Sequence, residues 1–281
     1  MTLQTRSLKE TFGLEILDVD LANLDDNTFE AIYKCWQDEP LLLFRRQSLS
    51  EREQVEYSKR FGDLDVLVRD DMLSPLHPEI IYITALRRPD GTPMGGLGTY
   101  EIYWHHDQIY RERPASGSVF YAVEVPEGTG QTSYLKKQLE GRRAAAKYGM
   151  KAESSTQRDF VKDPATMKKI EDRTPPATHD IILENPATGQ KSIYLDPNKT
   201  LGIDGLNEDE SKELIDAVNQ HMLQDDLIYT HTWRNGDVVM WDNARLWHRR
   251  EAFDAALPRF ARRTTIFLRP DDFAVPEPGL A

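Results

Sequence analysis

Cysteine is nearly absent from this chain of 281 residues, which contains a single one, Cys35. One thiol excludes an internal disulfide and any zinc or iron–sulfur site built from several cysteine thiolates. Cys35 lies in the run IYKCWQDEPLLLF, whose apolar residues are typical of a buried helix position rather than of an exposed nucleophile. We therefore do not expect cysteine chemistry to carry the function.

Long hydrophobic runs and an excess of positive charge are also missing. No stretch approaches the roughly 20 apolar residues that cross a bilayer, and the start, MTLQTRSLKETFG, lacks the apolar core of a secretory signal. The net charge of −12 argues against a surface that neutralises nucleic-acid phosphates. The basic pairs Arg142-Arg143 and Arg249-Arg250 are typical of a solvated face. We expect a cytoplasmic protein that acts on a small molecule and binds neither nucleic acid nor a membrane.

Short strand-like segments dominate what the sequence does contain. Alternating or continuous apolar runs lie at 80–86, 102–110, 118–125, 131–135, 237–243 and 260–269. Helices are predicted at LDDNTFEAIYKCWQDE, at LSEREQVEYSKRFG and over 206–224; the second has the Ser50 and Glu53 spacing of a capping box and Gly62 as a stop. Strands separated by Gly- and Pro-rich turns, without regular βαβ alternation, indicate a mainly β domain with helical elaboration, a sandwich or jelly roll.

The prediction is a single domain over residues 1–281 with two atypical parts. Residues 136–180 are polar and mixed, with helical patches at 137–148 and 163–172, and are interpreted as a lid or an insertion. The Pro-containing end, 272–281, is predicted to be a loose tail.

His105 and Asp107 are two residues apart in a strand-like segment, so both side chains should project from one face and reach one metal ion. His106 should point away. A third ligand from a distant strand, His248, would complete the two-histidine, one-carboxylate set of non-haem Fe(II) oxygenases.

A second pair offers the same ligand types at the same spacing, His77 and Glu79. The two prolines at positions 75 and 78 mark that segment as a turn before a strand, which favours a structural role. His-x-Asp alone is therefore weak evidence for a metal site.

Two arginines near the C-terminus, Arg259 and Arg263, are expected to bind anions. If 259–267 is extended, Arg259 and Arg263 share one face while Arg262 points to the other. Guanidiniums on the inner face of a barrel are costly unless each meets an anion, and Arg binds a carboxylate through two parallel hydrogen bonds. The anion could belong to a small molecule or to an Asp or Glu of the protein, and both interpretations stay open here.

With these residues in place, the chain resembles the Fe(II)/2-oxoglutarate-dependent dioxygenases of the taurine dioxygenase (TauD/TfdA) family. The resemblance runs nearly end to end, through GLEILDVDL, FGDLD, WHHD, GTGQTSY, LGIDGLNEDES and WRNGDVVMWDN to the final H…R…RTTI. It implies a double-stranded β-helix, or jelly roll, that holds Fe(II) between His105, Asp107 and His248. It also implies 2-oxoglutarate and O2 as co-substrates, with the distal carboxylate of 2-oxoglutarate on Thr132 and Arg259. Homo-dimers are common in the family, and we expect this chain to form a homo-oligomer, either a dimer or a tetramer.

The resemblance extends to the substrate pocket. Arg263 matches the position that binds the substrate's acidic group in sulfonate- and carboxylate-oxidising members. Glu101 stands where taurine dioxygenase has an Asn, and Leu67 and Asp70 stand where it has a substrate-contacting His and Tyr, which argues against taurine itself. A carboxylate at Glu101 near Arg263 would suit a substrate with both a cation and an anion, such as an amino acid. A solvated strand-end residue is the alternative for Glu101.

Three functions compete. The favoured one is a dioxygenase that oxidises, and preferentially hydroxylates, a C–H bond of a small anionic or zwitterionic substrate, giving succinate and CO2; a sulfonate such as taurine or an aryloxy acid is the alternative substrate. A zinc- or manganese-dependent hydrolase could use the same three ligands to activate water. A non-catalytic jelly-roll module is the third. His231 is expected to be a satisfied barrel histidine.

Overall fold

The computed structural model describes residues 3–136, 143–146, 168 and 172–276. Strands β1 to β17 are Thr5–Ser7, Leu14–Ile16, Leu41–Phe44, Gly62–Leu64, Ile81–Thr84, Ile102–His105, Gly117–Glu124, Thr132–Lys136, Arg143–Ala146, Ala177–Asp180, Ile182–Glu184, Lys191–Ile193, Thr200–Ile203, Ile228–His231, Val238–Asp242, Leu246–Arg250 and Phe260–Leu268. Helices α1 to α3 are Asp26–Asp38, Glu51–Lys59 and Glu208–Met222, and short 3₁₀ turns cover Asp70–Met72 and Asp225–Leu227.

The helices form where the capping signals predict them. The Asp25 carboxylate accepts a hydrogen bond from the backbone N–H of Thr28 and so begins α1. At α2, Ser50 and Glu53 make both hydrogen bonds of a capping box, as the sequence predicts.

Gly62 does not end α2 in the way we expect from the sequence. The helix ends at Lys59, and its C-cap, Arg60, keeps right-handed backbone angles. Gly62 instead begins β4, where a Cβ would lie 2.2 Å from the carbonyl oxygen of Phe267 on β17. Glycine is needed here because the two strands approach closely, not because a helix terminates.

Two facing sheets form the body of the protein. The larger has the strand order β1-β2-β3-β15-β7-β17-β4, with β5 also paired to β17, and the smaller has the order β14-β8-β16-β6. Trp241 on the larger sheet contacts Tyr134 on the smaller one, with ring centroids 5.7 Å apart. This arrangement confirms the jelly roll.

The centre of the larger sheet is buried on both faces, and alternation along its strands separates them. On β7, Val119 and Tyr121 pack outward with α1, whereas Phe120 packs inward with Trp241 and Tyr134. Side chains on the inner face therefore enter the space between the sheets.

Two predictions about irregular segments are wrong in their described parts. Arg143–Ala146, within the predicted helical patch 137–148, is strand β9 and pairs with β10 and β13. The predicted tail packs on the core from 272 to 276, because Phe273 is fully buried against Trp36 and Tyr33 of α1.

The remaining parts of these predictions have other outcomes. Lys168 and Asp172, within the predicted helical patch 163–172, are helical and form an ion pair at 2.9 Å. The rest of the lid or insertion predicted over 136–180, between 137 and 171, and residues 277–281 lie outside the described residues. In the described part of the chain, every helix is too short or too polar to span a membrane.

Candidate metal centre

Two histidines face each other across neighbouring strands of the smaller sheet. His105 is the last residue of β6, and its backbone partner on β16 is His248. Directly opposite residues project from the same face of a sheet, and the two rings lie 4.1 Å apart between centroids. Both are buried between the sheets.

Asp107 joins them from beyond the end of the strand. Because β6 stops at His105, the same-face alternation that we expect from the sequence does not continue to Asp107. A bend carries it there, and Gln108 next to it has a left-handed φ of 56°. The carboxylate oxygens lie 3.9 Å from Nε2 of His105 and 3.5 Å from Nε2 of His248.

These three side chains fit a metal ion. One donor atom from each lies within 4.8 Å of the others, and among the described residues no other group of three His, Cys, Asp or Glu does so. Adjacent ligands of an octahedral ion with bonds of about 2.1 Å are roughly 3 Å apart, so small side-chain rotations suffice. Two imidazoles and one carboxylate are the donor set of non-haem Fe(II) sites.

The protonation states also suit a metal. Nδ1 of His105 donates to the carbonyl oxygen of Tyr103 at 2.8 Å, which leaves the lone pair on Nε2. Burial lowers the pKa of His105 to about 4 and that of His248 well below its ordinary value. Burial opposes ionisation of Asp107, but the Arg263 guanidinium holds the pKa of that carboxyl well below its usual range. Neutral imidazoles and an ionised carboxylate are ready to bind a cation.

His77 and Glu79, the second pair with metal-ligand spacing in the sequence, make other contacts. Glu79 forms a surface ion pair with Lys59 at 2.8 Å, and the carbonyl of His77 accepts the turn hydrogen bond from the N–H of Ile80. His106 is buried, and its Nε2 accepts from the indole N–H of Trp247 at 3.0 Å. Neither His77 nor His106 belongs to the metal-ligand group.

Arg259 is a buried cation that forms no ion pair with an acidic side chain among the described residues. It is 2 % exposed, and its Nε has no hydrogen-bond partner within the described part of the chain. Its guanidinium carbon lies 5.8 Å from the Phe120 ring and 5.4 Å from the Phe253 ring. Burial lowers its pKa to about 10, so the group stays charged at neutral pH. Such a cation is costly unless an external anion meets it.

Thr132 is oriented to donate a hydrogen bond. Its hydroxyl oxygen accepts from the indole N–H of Trp233 at 3.0 Å. Since a hydroxyl has one proton and two acceptor lone pairs, the Thr132 proton is left for another acceptor. Thr132 is buried on β8, opposite Arg250 of β16.

Arg263 has a protein partner, in contrast to Arg259. One of its terminal nitrogens donates to the Asp107 carboxylate at 2.7 Å, while its Nε is buried without a partner in the described residues. Of the two interpretations that the sequence leaves open, pairing with a carboxylate of the protein therefore holds for Arg263. Arg262 points to the opposite face, as the alternation predicts, and donates to the carbonyl of Leu49.

The remaining predicted substrate residues are more peripheral. Glu101 is exposed immediately before β6, and Asp70 is exposed in a 3₁₀ turn. Leu67 is half-buried against the apolar cluster that includes Met72 and Phe120. Their contact with substrate stays a prediction.

Arg250 is a charged residue of this region that the sequence reasoning missed. The prediction that Arg249 and Arg250 lie on a solvated face is wrong for Arg250, which is 5 % exposed and donates a hydrogen bond to the carbonyl of Leu97 at 2.7 Å. Burial, followed by repulsion from Arg259, lowers its pKa to about 9. Alternation from His248, two residues earlier on the same face of β16, was the available signal. The side chains of Arg142 and Arg143 lie outside the described residues.

His231 has protein partners at both ring nitrogens. Nε2 lies 3.1 Å from the Asp237 carboxylate and Nδ1 lies 3.1 Å from the Tyr229 hydroxyl. Its environment is that of a satisfied barrel histidine, as expected.

Comparison with known proteins places this geometry in context. The family model described as "Taurine catabolism dioxygenase TauD, TfdA family" matches residues 4–265. The chain is 26 % identical to the (S)-phenoxypropionate/alpha-ketoglutarate-dioxygenase of Delftia acidovorans, over 96 % of this chain and 97 % of that protein. It is 28 % identical to the pentalenolactone F synthase of Streptomyces avermitilis, over 97 % and 95 % of the two chains. A crystal structure of a taurine dioxygenase from Burkholderia xenovorans superposes with a TM-score of 0.77 at 22 % identity, over 99 % of this chain and 96 % of that one, a likeness of fold.

Proposed function

Because the chain belongs to the taurine catabolism dioxygenase TauD, TfdA family, we propose that His105, Asp107 and His248 hold its Fe(II) and that Thr132 and Arg259 hold the distal carboxylate of 2-oxoglutarate. The enzyme is a 2-oxoglutarate-dependent dioxygenase, an oxidoreductase that requires Fe(II), 2-oxoglutarate and O2. The observation that carries the residue assignment is a compact set of metal donors, together with the buried Arg259, whose Nε has no hydrogen-bond partner among the described residues.

Each residue has a distinct task in this proposal. Bound iron supplies the oxidising power, with 2-oxoglutarate converted to succinate and CO2. Arg259 neutralises the distal carboxylate, and the hydroxyl proton of Thr132, directed by Trp233, donates a second hydrogen bond to it. Trp241, whose ring lies 5.0 Å from that of His248, would shield this side of the metal site from water.

An anaerobic titration tests the assignment. Fe(II) together with 2-oxoglutarate should give the wild type a weak visible metal-to-ligand absorption band, and His105→Ala should abolish it. His77→Ala is the matched control, because His77 lies in the sequence pattern that the structure leaves outside the metal group; it should keep the band. A wild type without the band at saturating Fe(II) and 2-oxoglutarate would contradict the proposal.

The alternative of a zinc- or manganese-dependent hydrolase is not favoured, since the family and the relatives named for their reaction with alpha-ketoglutarate are dioxygenases. A hydrolase would also leave Arg259 without the anion that its burial requires. The same titration separates the two, because a hydrolase needs no 2-oxoglutarate.

For the substrate, we infer a small organic acid whose anionic group approaches Arg263, beside the metal ligand Asp107. An amino acid that also uses Glu101 is one class. An aryloxy acid is the second, favoured by the likeness to the (S)-phenoxypropionate dioxygenase. Succinate release above the uncoupled background, measured for amino acids, sulfonates and aryloxy acids, ranks them.

Two variants test the substrate residues. Arg263→Met should raise KM for the true substrate, with Mn(II) affinity measured in parallel because Arg263 also contacts Asp107. Glu101→Gln should raise KM for an amino acid alone, and an unchanged value would exclude Glu101 from the pocket. A role for Leu67 and Asp70 would appear as a changed substrate ranking in their alanine variants.

A homo-oligomer, either a dimer or a tetramer, and a cytoplasmic location remain predictions. Light scattering on the purified protein measures the first, and fractionation of the source cells measures the second.

A further inference from the structure

The loop between β12 and β13 contains a buried ion pair that lies against the metal-ligand segment. Asp196 is 0 % exposed and Lys199 is 9 % exposed, and Nζ of Lys199 lies 3.1 Å from Oδ2 of Asp196. Oδ1 of Asp196 accepts hydrogen bonds from the backbone N–H groups of Asn198 and Lys199 at 2.8 and 3.0 Å. The loop is thus folded around its own carboxylate, and the second carboxylate oxygen is directed outward from the turn.

That outward side holds the backbone of the residue between two metal ligands. The N–H of His106 donates to Oδ2 of Asp196 at 2.8 Å, and Nζ of Lys199 donates to the carbonyl oxygen of His106. Asn198 adds a hydrogen bond from its side-chain amide to the carbonyl of Trp104 at 2.6 Å. One ion pair therefore binds both polar backbone groups of His106.

These contacts replace the strand pairing that ends just before them. The ladder between β6 and β16 pairs His105 with His248 and stops there, because β6 ends at His105. A buried backbone N–H or C=O without a partner costs about as much as a lost hydrogen bond. His106 is the single residue that links ligands His105 and Asp107, so its peptide groups set the separation of those two side chains.

We infer that Asp196 and Lys199 are positioning residues for the metal site, holding His105 and Asp107 at binding distance before the metal arrives. This inference rests on the proposed function. A buried ion pair is weak as a source of stability, because desolvation offsets its attraction. Groups that orient metal ligands from behind, in contrast, typically change metal affinity when they are removed.

Mn(II) alone, titrated by electron paramagnetic resonance into the full-length protein, measures the effect without turnover. In Asp196→Asn the new side-chain NH2 group should face either the N–H of His106 or the turn N–H groups of Asn198 and Lys199, so that one set of hydrogen bonds is lost. Lys199→Met should remove the hydrogen bond to the carbonyl oxygen of His106. Each should raise the Mn(II) Kd about 10- to 100-fold. Lys199→Arg keeps a cationic donor and should restore the Kd to within a few-fold of the wild type.

Asp237→Asn is the matched control. Asp237 is equally buried and hydrogen-bonded, to Arg45, His231 and the N–H of Arg234, but it contacts none of the three ligands. It should lower the melting temperature and leave the Mn(II) Kd unchanged. If Asp196→Asn and Lys199→Met behave like this control, the pair is merely structural and the inference is overturned.

Hydrogen exchange on the unaltered protein gives an independent measurement if the variants do not fold. The His106 amide should be as protected in the metal-free protein as the amides of β6, and Mn(II) should add little. A His106 amide that exchanges rapidly in the metal-free protein and slowly only with Mn(II) would overturn the inference. A wild type that binds no Mn(II) would instead overturn the proposed function, and this inference with it.

Discussion

Replacing Arg259 with Met should weaken 2-oxoglutarate binding and at the same time stabilise the protein without ligand. Burial lowers the Arg259 pKa from 12.5 to about 10, which corresponds to roughly 3 kcal/mol of unfavourable desolvation. At pH 7 the group is protonated in both the folded and the unfolded chain, so the folded protein bears this full cost. Because Met has a similar volume and no charge, the melting temperature of the ligand-free protein should rise by about 5 °C.

The same substitution removes two charge-assisted hydrogen bonds to the distal carboxylate. Each contributes about 1.5 to 3 kcal/mol, so the loss is at least about 3 kcal/mol, or roughly 100-fold in Kd. Calorimetry with Mn(II)-loaded protein under nitrogen measures this Kd. At a concentration of 100 times the wild-type Kd, 2-oxoglutarate should stabilise the wild type by about 2.7 kcal/mol and leave Arg259→Met almost unaffected.

Arg262→Met is the control on the same strand. Arg262 faces the opposite side of the larger sheet, donates to the carbonyl of Leu49 and lies 4.9 Å from the Tyr121 ring. Its loss should lower the melting temperature and leave 2-oxoglutarate affinity intact. Equal 2-oxoglutarate affinity in Arg259→Met and the wild type would refute the assignment, and a lower melting temperature would refute the unpaired-cation reasoning.

Three smaller predictions follow from local geometry. Burial, with added repulsion from Glu39 and Asp38, raises the Cys35 pKa to about 11, so at pH 8 alkylation by iodoacetamide should be about 100-fold slower than in the unfolded chain; equal rates would contradict this. Ser50→Ala breaks the α2 capping box and should cost about 1 kcal/mol in urea unfolding without changing metal affinity. A cost near zero would remove the capping argument. Phe273→Ala should cost about 3 kcal/mol or more because the side chain is fully buried against α1, and a neutral effect would return 272–276 to the status of a loose tail.

Alternation in strands allowed part of the candidate site to be predicted. The opposite directions of Arg262 and Arg263 follow from one extended segment. His248, expected as a third ligand from a distant strand, lies opposite His105. The same rule, applied to His248, points to Arg250. Charge alone led to the wrong interpretation of that residue, because two adjacent arginines in a strand face different environments.

Where the chain leaves regular structure, periodicity no longer places the residues. Asp107 reaches the site through a bend rather than through a continued strand, with left-handed Gln108 beside it. The backbone of His106, which precedes it, is bound by Asp196 and Lys199, about 90 residues away in sequence. Gly62 shows the same limit, since its role comes from the approach of β17 and not from the helix that precedes it.

The charges of the inner face bear on the sign of the substrate. Among the described residues, Arg250, Arg259 and Arg263 bring three guanidiniums to a region in which Asp107 supplies one carboxylate and the Asp196–Lys199 pair has no net charge. Fe(II) adds two positive charges, and 2-oxoglutarate brings two negative ones. A net charge of two positive units then remains. An anionic group on the substrate would lower this net charge, whereas a cationic group would raise it. Since Glu101 is exposed to solvent, where its charge is screened, this balance favours a simple organic acid over an amino acid.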